Sequence, residues 1–179
     1  MNKKQDSFIQ NVLKGINLRL KGLVSGKKRK AGLTWLKIKQ LKHLPYNKPG
    51  KHYFKGAYIY FNNGPELLHS LLEIFVEDIY DIKFDTSKPY ILDCGSNIGL
   101  SVLYLKLKHP EAKIIAFEPD PSNYKTLQKN VSSYNLTDIE LRNEAIWKEN
   151  TTLEFVSDGT LGSKVNAGTG SGNTIKVKA

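Results

Sequence analysis

Cysteine occurs once in this chain, at Cys94, which excludes an intrachain disulfide and any cysteine-rich metal site. Histidine is nearly as sparse. His43, His52, His69 and His109 are scattered without ligand spacing, so no metal centre is expected. Long apolar runs are missing: no stretch approaches the ~20 residues a membrane-crossing helix needs. The N-terminus shows no compact apolar core followed by small residues, the mark of a secretory leader, and no internal repeat is apparent. A cytoplasmic protein is the expectation. Acids are also lacking, but only locally. Residues 1–56 hold 15 Lys/Arg against the single acid Asp6, a balance of +14, whereas residues 57–179 hold 12 against 16, a balance of −4. The basicity therefore belongs to an N-terminal arm. The sequence divides into a basic helical extension, 1–56, and an α/β domain, 57–179.

What is present centres on Tyr90-Ile91-Leu92-Asp93-Cys94-Gly95-Ser96-Asn97-Ile98-Gly99. Apolar residues run into an acid, and two glycines frame a short polar loop. Leu100, Leu103, Tyr104 and Leu107 then recur at helical spacing until Pro110. This is a strand, a tight turn and a helix, the opening unit of a nucleotide-binding βαβ fold. Lys113-Ile114-Ile115-Ala116-Phe117 reads as the next buried strand and ends in Glu118, an acid where a ribose lies in such folds. Asp120-Pro121 opens another helix as N-cap and first-turn proline. Ile139 to Asn143 alternates as a third strand. Cys94 reads as a small buried residue, not a nucleophile.

The flanks are less informative. Ser7 caps an expected first helix whose apolar face runs from Ile9 to Leu23, followed by the basic run Lys27-Lys28-Arg29-Lys30. A docked helical extension is the preferred reading of the arm; the sharper one is an arm lying on anionic lipid or gripping phosphate backbone. Trp35 and several leucines suit a membrane surface better than RNA, which would make the protein peripheral to a membrane. Pro45 to Gly50 resembles a linker, and Ala57 to Phe61 a short strand. Asn62-Asn63-Gly64-Pro65 is a turn into a helix expected to reach Tyr80, with Phe75 and Tyr80 in its core. Thr152–Val156 and Thr174–Lys178 are expected to form a hairpin around a glycine-rich loop. That loop lacks the Gly-Lys-Ser/Thr order of a phosphate cradle.

Three strands, each followed by a turn, place Asp93–Gly99, Glu118–Asp120 and Glu144–Ile146 on the carboxyl edge of one sheet, the ligand edge of open α/β folds. A dinucleotide loop beginning at Gly95 needs glycines where Asn97 and Leu100 stand. An adenosine with a zwitterionic amino-acid tail asks only for a close turn, polar loop groups and a ribose carboxylate, which fits S-adenosylmethionine.

Residues from about Gly56 to Val156 resemble the FkbM-type family of class I methyltransferases. The matching pieces are Glu73-Ile74-Phe75 with Tyr80, Asp93 to Gly99, Phe117-Glu118-Pro119-Asp120, Leu127 with Asn130, and Ala145-Ile146-Trp147. The resemblance implies a Rossmann-like sheet, S-adenosylmethionine as cofactor, and methylation of a hydroxyl on a sugar, glycan or natural product. It also implies cofactor-binding roles. Gly95 and Gly99 bring the chain close to the methionine moiety, or simply make a tight turn. Asp93 orders the loop and helps hold the amino group. Ser96 and Asn97 meet the tail or cap the following helix. Glu118 takes the ribose hydroxyls. Asp120 approaches the adenosine or caps its helix, and Glu144 and Ala145 read the adenine edge. The family continues with a strand bearing a Lys-x-Asp-x-Glu-Gly-like motif that these residues do not reach, so an incomplete sheet is expected and no catalytic base is assigned. The competing expectations are a cofactor-binding module without turnover and an RNA-directed methyltransferase using the basic arm.

Overall fold

The computed structural model describes residues 32–149, 151–157, 164–165 and 173–178. The expected helix over Ser7 to Leu23, the Lys27–Lys30 run and the glycine-rich residues 166–172 lie outside them.

Helix α1 (Trp35–Lys42) begins at Thr34, whose hydroxyl accepts the Lys37 N–H. Leu33 and Leu41 bury almost completely, so this part of the basic extension is docked against the core. Strands β1 (Gly50–Phe54) and β2 (Ala57–Phe61) pair antiparallel around Lys55-Gly56, both at positive φ, the geometry of a two-residue hairpin turn. The segment expected as a linker thus ends in a paired strand. The 56/57 division falls inside this turn, so residues on its two sides share one hairpin. His52, Phe54, Ile59 and Phe61 point inward, and Lys51, Tyr53 and Tyr58 point out.

Helix α2 (Gly64–Phe75) starts as expected: Asn63 Oδ1 accepts the Glu66 N–H, and Pro65 occupies the first turn. It stops at Phe75, short of Tyr80. The N–H groups of Val76 and Glu77 both return to the Leu72 carbonyl, and Asp78 turns left-handed at φ 56°. The apolar spacing continues past the break, and Tyr80 still packs on the core from the turn.

The parallel sheet is β3 (Tyr90–Cys94), β4 (Lys113–Phe117) and β5 (Ile139–Arg142), in that order, with Leu92 opposite Ile115 and Ile115 opposite Glu140. Helices α3 (Leu100–Lys108) and α4 (Pro121–Ser133) are its crossovers, giving a Rossmann-like βαβαβ unit. Strands β6 (Thr152–Ser157) and β8 (Asn173–Lys178) form the expected antiparallel pair, and β7 (Lys164–Val165) lies on the other side of β6. Cys94 is exposed, not buried as its small size suggested. β3 stands at one end of the described sheet, and its alternation puts Cys94 on the face where Tyr90 and Leu92 are 60% and 58% exposed.

Asn130 joins the hairpin to this unit. Its side chain accepts the Tyr60 N–H at 2.7 Å and donates to the carbonyls of Tyr60 at 2.9 Å and Ile98 at 2.7 Å. Asn130 is 6% exposed, so its loss strands three backbone groups in a low-dielectric seam. Asn130→Ala is expected to lower stability by about 2–3 kcal/mol, read as a shift in the denaturant midpoint without a change in slope. An unchanged midpoint would show that water replaces the amide there.

Candidate functional site

The loop after β3 is fixed by its own backbone. The N–H groups of Gly95 and Ser96 both donate to the Phe117 carbonyl at 2.9 Å, which fastens the turn to the end of β4. The Gly99 N–H closes back on the Ser96 carbonyl at 2.7 Å. Gly95, Asn97 and Gly99 all carry positive φ, at 89°, 48° and 88°.

The two glycines do different work. A Cβ on Gly95 meets nothing within 4 Å, so the chain there borders open space. A Cβ on Gly99 would stand 2.5 Å from Leu127 Cδ1, so Gly99 is where α3 and α4 close on each other. Of the pair, Gly95 is therefore the one that faces open space.

Glu118 is the electrostatic centre. Only 5% exposed, its carboxylate accepts the Asn97 N–H at 2.8 Å through Oε2 and the Asp120 N–H at 2.9 Å through Oε1. Its own N–H donates to Arg142, and Asn143 Nδ2 donates to the carbonyls of Glu118 and Pro119. Burial raises the Glu118 pKa above the ordinary carboxylate value, with Asp120 and Asp93 adding to the rise and the two backbone N–H groups opposing it. Each oxygen retains a lone pair for a second donor.

The other expected residues are placed as follows. Asp93 Oδ2 accepts the Ser101 hydroxyl at 2.6 Å, so it anchors the first turn of α3. Ser96 is 2% exposed and its hydroxyl donates to the Asp93 carbonyl, so it braces the loop from within; the cap of α3 is Gly99. Asp120 is fully buried and caps α4 through the N–H groups of Ser122 and Asn123. Glu144 and Ala145 lie against β8: the Ala145 N–H donates to the Lys178 carbonyl at 2.8 Å, and Lys178 Nζ stands 2.7 Å from Glu144 Oε1. That ammonium holds the Glu144 carboxyl below its ordinary range. The loop, Glu118 and Asp120 come together around one brace, while Glu144 and Ala145 are engaged elsewhere.

Two contributors escaped the sequence reading: Asn143, which looked like one more residue of an alternating strand, and Ser101, which carried no signal of its own. Tyr80 packs on the core as expected, and burial together with the charges of Asp93 and Glu73 raises its phenol pKa. Beside Asn97 and Ile98 lies a small recess of about 10 Å3, lined by Asn62, Asn63, Glu66, Leu67, Ser70 and Asn123 among others. Asn63 Nδ2 is buried there without a hydrogen-bond partner. Among the described residues no group of three His, Cys, Asp or Glu side chains is placed to hold a metal ion, and no helix is long and apolar enough to cross a membrane.

No family model matches the chain. It is 34% identical over 88 residues to Methyltransferase 1 of Beauveria bassiana, a match covering 49% of this chain and 34% of that protein. It is 52% identical over 60 residues to Methyltransferase sdnD of Sordaria araneosa, covering 34% of this chain and 23% of that one. Among solved structures it is similar to the methyltransferase FkbM of Methylobacillus flagellatus, at 20% identity and a TM-score of 0.38 over 50% of this chain and 29% of that one. The chain is thus similar over part of its length to curated methyltransferases, and its matches span about a third or less of the length of those relatives.

Proposed function

We propose that this chain carries the S-adenosylmethionine-binding core of a methyltransferase acting on a hydroxyl of a sugar, glycan or natural product. The observation that carries the reading is the pairing of an open-sided Gly95 with a buried, preorganised Glu118 across the same loop. Asn97 and Asp120 fix the carboxylate by one bond to each oxygen, leaving acceptor capacity for two vicinal hydroxyls. Bound there, the cofactor supplies an electrophilic methyl on a sulfonium. The part of this chain is to hold the ribose at Glu118, keep the backbone clear at Gly95, and set the amino-acid tail near Asp93. Alignment of an acceptor oxygen with that methyl accounts for much of the rate.

The names of the curated relatives support the reaction class. The hydroxylated acceptor rests on the family resemblance; the recess beside Asn97, about 10 Å3, has room for about one water and not for a sugar. No described side chain is assigned as the base.

Calorimetric titration of S-adenosylmethionine into the full chain, with NAD as control, tests the reading. S-adenosylmethionine is expected to bind and NAD not; the reverse preference sinks it. The pH dependence is specific. Ribose binding needs ionised Glu118, so affinity falls as pH is lowered through its raised folded pKa. Folding responds in the opposite sense. The unfolded chain releases this proton first, so the Glu118 contribution to stability is fully present below the ordinary carboxylate pKa and is lost as pH rises through the folded value. Glu118→Gln is expected to flatten both dependences.

A further inference from the structure

We infer that the outer face of the β1–β2 hairpin, extended by the last turns of α4, is a docking surface for anionic lipid headgroups. Lys51, Tyr53, Tyr58 and Tyr60 share the face turned away from the core. Lys129 joins them from α4, its ammonium 3.8 Å from the Tyr60 ring centroid, and Lys51 lies 4.4 Å from that of Tyr58. Tyr53 and Tyr58 are 53% and 43% exposed. The three elements that build the face, GKHYF, AYIYF and PSNYKTLQKNVSS, contain no acid. The lack extends further: between Asp6 and Glu66 the chain has 13 Lys/Arg and no Asp or Glu. The surface is therefore one sign of charge interleaved with aromatic rings, the complement of an anionic layer.

Two features favour lipid over nucleic acid. Single-stranded RNA is gripped by bases stacking on bare aromatic faces. Here Lys51 and Lys129 already lie over the faces of Tyr58 and Tyr60, and Tyr53 meets Tyr58 edge-on at 75°. The cations are also all lysines, whereas arginine is the residue of choice for nucleic-acid recognition. Lysine ammonium groups with tyrosine rings beneath them match a headgroup layer, where rings sit at the interface and charges reach the phosphates. The surface adjoins the loop, because Asn130 bonds both Tyr60 and Ile98. Docking on lipid therefore holds the loop near the membrane plane. This inference does not depend on the cofactor reading, since the lipid face and the Glu118 pocket share no side chain.

The test is co-sedimentation of the full chain with phosphatidylcholine vesicles with and without phosphatidylserine, alongside binding to poly(U) at the same ionic strength. Binding is expected only to vesicles containing phosphatidylserine, and to weaken with salt. Lys51→Glu with Lys129→Glu is expected to weaken it tenfold or more, and Tyr53→Ser with Tyr58→Ser several-fold. The rest of the basic extension is common to all variants, so the differences report on the hairpin face. Far-UV circular dichroism checks folding, and Lys51→Gln with Lys129→Gln, which only neutralises, carries the test if the charge reversal unfolds. Unchanged vesicle binding by the folded lysine variants overturns the inference, as does tighter binding to poly(U) than to the anionic vesicles.

Discussion

Glu118→Ala is expected to weaken S-adenosylmethionine binding by at least about tenfold, about 1.4 kcal/mol, and to lower stability by about 2–4 kcal/mol as well. The two losses have separate origins. The first comes from removing the acceptor of the ribose hydroxyls. The second comes from the protein itself, because the N–H groups of Asn97 and Asp120 both end on this carboxylate. Without it, two donors at a site where Glu118 is only 5% exposed lose their partner, at about 1–3 kcal/mol each unless water enters. Part of that cost is offset, since burial of the charge, the leading cause of its raised pKa, disappears with the side chain. Glu118→Gln separates the effects further. Its carbonyl satisfies one of the two N–H groups, but its amide faces the other donor to donor, so about 1–2 kcal/mol of stability is expected to go with most of the ribose affinity. Calorimetry and denaturant unfolding on the same samples read both quantities. A folded Glu118→Ala protein that binds S-adenosylmethionine as tightly as the parent would remove Glu118 from the cofactor site and leave it only the brace.

Features set by local chemistry were legible in the sequence. The apolar run into Asp93, the glycine-framed loop and the Asp120-Pro121 helix start depend on neighbours within a few residues, and each lies where its pattern places it. Asp120, open between capping and the adenosine on sequence grounds, is a fully buried cap. What escaped depends on residues distant in the chain. The apolar spacing of α2 continues through Ile79 and Tyr80, yet the helix ends at Phe75, because periodicity records which side chains face the core and not whether the backbone between them is helical. Cys94 looked buried because it is small and follows an apolar run; its exposure depends on which face of β3 is covered, and alternation alone does not choose. Ala145 spends its N–H on Lys178, a pairing set by the return of β8 and invisible in Ala145-Ile146-Trp147 itself. The two glycines of the loop are the sharpest case, since in sequence they look alike.

Gly99→Ala and Gly95→Ala should accordingly fail in different ways. Both residues sit at φ near 90°, so an alanine at either carries about 1 kcal/mol of backbone strain or somewhat more. At Gly99 a steric cost is added. The new methyl would lie 2.5 Å from Leu127 Cδ1, and Leu127 is fully buried, so α3 and α4 must separate or Leu127 must leave its rotamer. Overpacking of this kind costs about 1–3 kcal/mol. Gly99→Ala is therefore expected to lower stability by about 2–4 kcal/mol in total, the larger loss of the two. Leu127→Ala alone should cost about 2–5 kcal/mol through the cavity it leaves. In the double variant the two defects partly fill each other, so its loss is expected to fall short of the sum by about 1–2 kcal/mol. At Gly95 no neighbour stands within 4 Å, so Gly95→Ala should cost only the backbone strain, while its methyl projects into the space assigned to the cofactor and weakens binding more than stability. The ranking is what discriminates. If Gly95→Ala proves the more destabilising and Gly99→Ala the more damaging to binding, the roles of the two glycines are exchanged, and the ligand must approach the loop from the α4 side. That approach would require Leu127 to move away from Gly99, so the same double variant would then gain affinity instead of recovering stability.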